Sequence, residues 1–237
     1  MEKKQTFKVK AAIFDMDGVI TNTMPDHFRA WRQVMRSVGI ELTHSDIYSR
    51  EGQRGITSVR EFYAERNMPF SVKVAHELLH KKERLFQKIV RQRFVPGARS
   101  LLRLLRRERI ILALVTGTSR RELRQILPAY LRAQFAVIVT GNDVRNGKPD
   151  PEPYLLALRR LGISARDAVV IENAPFGIRS ARAAGLKCLA IATSLPLQYL
   201  TQAQAAFQSM NDLKRSLRFS RKPDRTVRRQ KKEKLCA

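Results

Sequence analysis

Ala11-Ala12-Ile13-Phe14-Asp15-Met16-Asp17-Gly18-Val19 is the stretch on which the fold turns. Its four leading apolar residues are too few for a helix and suit a short strand buried on both faces. The strand delivers two carboxylates at i and i+2 and then a glycine that lets the chain turn sharply. Two acids so close repel unless a proton or cation lies between them. A hard divalent ion is the natural remedy, and Mg²⁺ suits sites that also hold phosphate. An ordinary turn pair of aspartates fits the same residues, so the neighbours must decide.

Four more apolar runs follow at Ile110–Val115, Phe135–Val139, Ala168–Ile171 and Cys188–Ala192. Helical stretches at Ser100–Arg107, Arg121–Leu131 (shortened by Pro128), Pro151–Leu161 and Pro175–Ala184 alternate with them. Gly162 is the expected C-cap of the third. Strand–helix alternation predicts an α/β fold, a Rossmann-like parallel sheet with helices on both faces. Each run ends in polar residues: Asp15, Thr116-Gly117, Thr140-Gly141, Glu172-Asn173 and Thr193-Ser194. In open α/β sheets the ligand crevice lies at the carboxyl ends of the strands, so five motifs converge on one edge.

The interval between the first two runs is far too long for a simple crossover. Pro25 followed by Phe28, Trp31, Met35 and Val38, then Ile56–Arg66 and Val72–Val90, predicts an inserted all-α cap. The expected division is a core at 1–24 and 95–213, a helical cap at 25–94, and a basic, disordered tail at 214–237.

The chain of 237 residues carries a net charge of +25. From residue 214 onward eleven Lys and Arg face only Asp224 and Glu233, which makes the tail a candidate weak contact for RNA or another polyanion. With Phe219 its only aromatic, it offers no array for stacking bases, and a plain solvated tail is the competing reading. No apolar run nears the roughly 20 residues of a membrane span, and the basic N-terminus leads into too short a run for a signal peptide. Two cysteines make no disulfide framework; Cys188 reads as a core residue and Cys236 lies in the tail. The expectation is a cytoplasmic protein, with no membrane contact, that is a monomer or an oligomer of unspecified size.

At the second strand end, Thr116-Gly117-Thr118-Ser119 offers hydroxyls and backbone N–H groups as an anion cradle, or simply a helix cap. Lys148, held in Asn146-Gly147-Lys148-Pro149, can neutralise a nucleophile and a bound phosphate together. Glu172-Asn173 adds oxygen ligands at the fourth strand end, with Asn173 also suited to cap the next helix.

These motifs, in this order, resemble the haloacid dehalogenase superfamily, in particular the β-phosphoglucomutase-like phosphatases with a helical cap. The resemblance spans about residues 9 to 213. It implies a Mg²⁺-dependent phosphatase of a small phosphorylated metabolite, such as a sugar phosphate, working through an aspartyl-phosphate. Asp15 is then the nucleophile, Asp17 the acid and base, Thr116 and Gly117 the phosphate binders, and Lys148 the orienting cation. The metal set is Asp15, the Asp17 carbonyl and Glu172 or Asn173. Asn173 departs from the usual aspartate and brings no charge. In the cap, His27 and Arg54 are the expected substrate contacts, His27 being equally readable as a helix-surface residue. The mutases present a Lys-Gly pair in the loop that here reads Glu51-Gly52, which favours hydrolysis. A β-phosphoglucomutase-like isomerase and a non-catalytic nucleic-acid-binding relative are the alternatives.

Overall fold

The computed structural model describes residues 4–223. The chain begins with strands β1 (Gln5–Val9) and β2 (Ala11–Phe14), then helices α1 (Met24–Arg36), α2 (His44–Tyr48), α3 (Gly55–Ala64) and α4 (Val72–Ile89). It continues through α5 (Ala98–Arg107), β3 (Ile111–Val115), α6 (Arg120–Ile126), α7 (Ala129–Arg132), β4 (Val137–Val139) and α8 (Glu152–Leu161). It closes with β5 (Ala168–Glu172), α9 (Pro175–Ala183), β6 (Lys187–Ile191), β7 (Ala205–Phe207), α10 (Met210–Ser216) and β8 (Leu217–Arg221).

The main sheet is all parallel, ordered β4-β3-β2-β5-β6-β7. The strand bearing Asp15 is therefore central, between β3 and β5. All four of its residues are buried because helices cover both faces. Ala12 and Phe14 pack toward Leu101, Leu105 and Leu123 of α5 and α6. Ala11 and Ile13 pack toward Tyr154 and Ala157 of α8 and Ile178 of α9. Period-two alternation with apolar residues on both sides is what a sheet buried on both faces requires.

Pro128 ends the helix predicted across it: α6 stops at Ile126 and α7 restarts at Ala129. Gly162 takes a φ of +65° as the C-cap of α8. Helices α1 to α4 gather an apolar cluster of their own, with Trp31 edge-on to Phe62 and Leu78 beside them.

The expected start of the disordered tail at 214 needs correction. Residues 210–216 are helical, and Leu217–Arg221 pairs in parallel with Gln5–Val9 as a separate two-stranded sheet. Phe219 and Leu217 supply the reason: both are buried, and Phe219 packs on Phe7 at 6.1 Å between ring centroids. Apolar residues at alternate positions among basic ones make a one-sided strand, and charge count alone conceals that pattern. The rest of the tail, with the predicted polyanion contact and Cys236, lies outside the described residues. Cys188 is buried, as expected. Among the described residues no helix is long and apolar enough to cross a membrane.

Candidate active site

The strand ends assemble the site. Beyond Phe14 the Asp15 N–H still bonds Ile171 O at 3.0 Å, so the aspartate is held in line with the sheet edge. Gly18, at φ +79°, then turns the chain back, and its N–H donates to Thr21 O at 2.7 Å.

Lys148 is 1% exposed and donates to Asp15 Oδ1 at 2.5 Å and Glu172 Oε1 at 2.6 Å. Burial opposes its charge, but the two carboxylates outweigh that and raise its pKa. One ammonium facing two buried acids leaves an excess of negative charge. Burial, joined by Glu172 and Asp17, accordingly drives the Asp15 carboxyl well up despite the lysine. Asp15 Oδ2 is buried and has no hydrogen-bond partner.

Asp17 has the opposite character. Burial alone would push it up, yet His27, Thr23 and Thr118 bring it to about 2. The Thr118 hydroxyl donates to Asp17 Oδ2 at 2.8 Å, the Thr23 hydroxyl donates to Oδ1, and His27 Nε2 lies 3.4 Å from Oδ1. Asp17 is thus a fixed carboxylate. His27 is not on the helix surface: it is buried and stacks on Phe86 at 4.0 Å.

Thr116 accepts from the Thr118 N–H at 3.0 Å and approaches Asp17 Oδ2 at 3.4 Å. The cap for α6 is Ser119, in a capping box with Glu122, which leaves Thr116 and Thr118 to the site. At Gly117 a Cβ would come within 2.7 Å of Gly52 O, so only glycine lets the loop from the cap close on this strand end.

Glu172 and Asn173 divide the roles expected of them. Both oxygens of Glu172 are committed: Oε1 accepts from Lys148 and from Tyr154 at 2.9 Å, and Oε2 from the N–H groups of Asn173 at 2.9 Å and Ala174 at 3.2 Å. Glu172 therefore braces the lysine, with each of its oxygens engaged by two donors. Asn173 does not cap α9, whose N-cap is Ala174. Its Nδ2 donates to Glu51 Oε2 and to Ser194 Oγ, both at 2.8 Å, and its Oδ1 is buried without a partner.

A cavity of about 260 Å³ opens above these groups, lined by Asp15, Asp17, His27, Arg54, Thr116 and Gly117 among others. Lys148 reaches this cavity through its bond to Asp15. Arg54 is exposed, and its guanidinium donates to Arg145 O across the gap between cap and core.

The residues fit a divalent cation by their chemistry. Among the described residues no three His, Cys, Asp or Glu side chains form a metal cluster. Of the five buried acceptor oxygens without a hydrogen-bond partner among the described residues, Asp15 Oδ2, Asn173 Oδ1 and Glu51 Oε1 belong to this site, and Asp26 Oδ1 and Gln134 Oε1 lie elsewhere. Such orphans are rare in folded interiors, and oxygen-only donors beside excess negative charge suit Mg²⁺.

The haloacid dehalogenase-like hydrolase family matches residues 12–191. A phosphorylated-carbohydrates phosphatase of Thermotoga maritima is 36% identical over 184 residues, 76% of this chain and 83% of the relative. The chain belongs to the haloacid dehalogenase-like hydrolases. A fructose-1-phosphate phosphatase of Escherichia coli is 31% identical, covering 73% of this chain and 92% of its own length. A β-phosphoglucomutase of Bacillus subtilis is 29% identical, over 80% of this chain and 86% of the relative. In fold, a β-phosphoglucomutase structure from Clostridium difficile superposes with a TM-score of 0.76, at 23% identity, over 97% of this chain and all of that one. Within this hydrolase, Thr118 belongs to the cradle expected at the second strand end, whereas Thr23 and Tyr154 are site residues that no sequence motif marks, Tyr154 reading as one more apolar position of α8.

Proposed function

We propose that this hydrolase removes phosphate from a small phosphorylated carbohydrate by attack of the Asp15 carboxylate on phosphorus. The observation that carries the reading is the asymmetry of the two aspartates. Asp15 is buried, charge-strained and gripped on one oxygen by Lys148, while Asp17 is held as a carboxylate at the same cavity. The named relatives that act on phosphorylated sugars support the substrate class.

The chemistry divides between them. An Asp15 oxygen forms a bond to phosphorus as the bond to the leaving oxygen breaks. Lys148 offsets charge on the nucleophile and the arriving phosphoryl oxygens. Asp17 starts as a carboxylate, so the proton it passes to the leaving oxygen comes from a substrate phosphate entering as the monoanion. In the second half, water attacks the aspartyl-phosphate and Asp17 takes its proton, which restores Asp15 and frees inorganic phosphate. Thr116 and the Gly117 backbone border the cavity where the phosphoryl group would rest. A cation held by Asp15, the Asp17 carbonyl and Asn173 would screen phosphoryl charge.

Glu51 bears on the competing isomerase reading. It stands in the loop where the resemblance to the mutases expects a lysine, and an acid there repels a second phosphate. Glucose 1-phosphate distinguishes the two: free phosphate marks a phosphatase, glucose 6-phosphate a mutase. The reading itself is tested by phosphate release from a panel of sugar phosphates with Mg²⁺ present and then chelated. Asp15→Asn should lower turnover by about 10⁴-fold or more, as loss of a nucleophile does. Turnover retained in that variant would overturn the mechanism.

A further inference from the structure

The core side of the candidate cation site is short of charge. Glu172 spends both oxygens on Lys148, Tyr154 and two backbone N–H groups. Asn173 offers an uncharged oxygen. Among the described residues of the core, Asp15 is the acidic side chain left with an unpartnered oxygen there.

The loop after α2 brings another. Glu51 is 8% exposed, its Oε2 accepts from Asn173 Nδ2 at 2.8 Å, and its Oε1 has no partner. The contact also fixes the amide. The Ser194 hydroxyl lies at 2.8 Å from the same nitrogen, so the donor end of Asn173 faces both Glu51 and Ser194. Its acceptor oxygen is thereby turned elsewhere, buried and unmatched. Asp15, Glu51 and Asn173 each keep a buried oxygen without a hydrogen-bond partner, and Glu51 and Asn173 are in direct contact.

The loop is braced rather than draped. Arg50 holds Glu61 at 2.8 Å and also Glu65, and Gln53 donates to Glu61 at 2.7 Å. On the core side Gly52 packs so tightly on Lys148 that a Cβ would come within 2.5 Å of its side chain. A carboxylate inserted this firmly beside another acid is not a solvated surface charge.

We propose that Glu51 completes the divalent-cation site, the helical insertion supplying the charge that position 173 lacks. This rests on the reading that a hard cation sits at Asp15 and Asn173. Withdrawal of the Glu51 loop then removes a ligand, so cation affinity is coupled to closure of α1–α4 over the strand ends.

The test is calorimetric titration of MgCl₂ into the full chain without substrate, with thermal midpoints taken alongside. Glu51→Gln keeps an oxygen for the Asn173 amide, preserving the seat of the loop while deleting the charge. It should weaken Mg²⁺ binding about tenfold or more, given how strongly ligand charge sets affinity. Adding Asn173→Asp in the Glu51→Gln background returns the charge to the core and should recover affinity to within a few-fold. Mg²⁺ binding by Glu51→Gln equal to that of the unaltered chain overturns the proposal. No Mg²⁺ binding by the unaltered chain overturns both it and the cation reading, whereas the phosphatase reading stands or falls separately on Asp15→Asn.

Discussion

Two buried ionisable residues cross from the helical insertion to the sheet edge, and they meet different fates. Lys82 of α4 lies 3.4 Å from Glu122 of α6, both side chains under a tenth exposed. Its ammonium also sits over the rings of Phe86 at 4.7 Å and Trp31 at 5.8 Å. Glu122 fills its other oxygen with the Ser119 hydroxyl at 2.9 Å. Burial would raise the Glu122 pKa, but Lys82 leads the groups that bring it down. Glu51 instead meets an amide and another acid. Burial raises its carboxyl well above the ordinary range, and Asp15 adds to the rise. A latch satisfies its own charges; a binding site leaves some open for what it binds. Unpartnered oxygens and a raised carboxyl mark which contact is which.

Lys148 is the sharpest way to break that comparison, because there two buried acids of the site meet a cation of the protein's own. Lys148→Met leaves Asp15 and Glu172 facing each other in the interior. It should cost about 3–5 kcal/mol of stability, the range for stripping one partner from a buried ion pair. Urea unfolding measures it, and phosphate release should be lost in the fraction that still folds. A variant as stable as the parent would mean the two acids share a proton and need no lysine.

Glu122→Gln probes the latch in the same way. Glutamine still serves the capping box, so the change isolates the charge. We expect about 3 kcal/mol of destabilisation from an unpaired, buried Lys82, with Mg²⁺ affinity unchanged. If Mg²⁺ affinity falls as far as in Glu51→Gln, latch and site are one unit and the distinction fails.

The sequence carries the first of these regions poorly and the second in part. Lys82 and Glu122 are 40 residues apart and each looks like a surface charge on an amphipathic helix; only the packing of α4 on α6 buries them. Asp15 and Glu172 were legible because each directly follows an apolar run, and parallel strands bring such ends together; Lys148 was legible from its glycine–proline loop beyond the third run. The sheet order that makes Asp15 central was not, since pairing is set by long-range contacts. Neither was β8: Leu217 and Phe219 alternate with basic residues in a segment whose charge dominates its reading. The division of labour between Glu172 and Asn173 also needed coordinates. Two adjacent polar residues at a strand end point to opposite sides, and one of the donors that occupy Glu172 is Tyr154, hidden in the apolar pattern of α8.

The smallest effect is the most discriminating, because latch and site should respond to pH with opposite sign. Glu122 has a depressed folded pKa. Its contribution to stability is present above the unfolded glutamate value of about 4.3 and is lost as pH falls through the lower folded value. Glu51 has a raised folded pKa. Its contribution is full below about pH 4.3 and is lost as pH rises toward the folded value, since the native state then holds a proton that the unfolded chain has released. Each slope is bounded at about 1.4 kcal/mol per pH unit for one proton. Unfolding free energies of the parent minus Glu122→Gln should therefore rise with pH across the acid range, and those of the parent minus Glu51→Gln should fall above it. Saturating Mg²⁺ should flatten the second difference and leave the first untouched, because a cation beside Glu51 stabilises the ionised form and gives the site the positive charge the latch already has. Two differences of the same sign would show that Glu51, like Glu122, is neutralised within the protein itself.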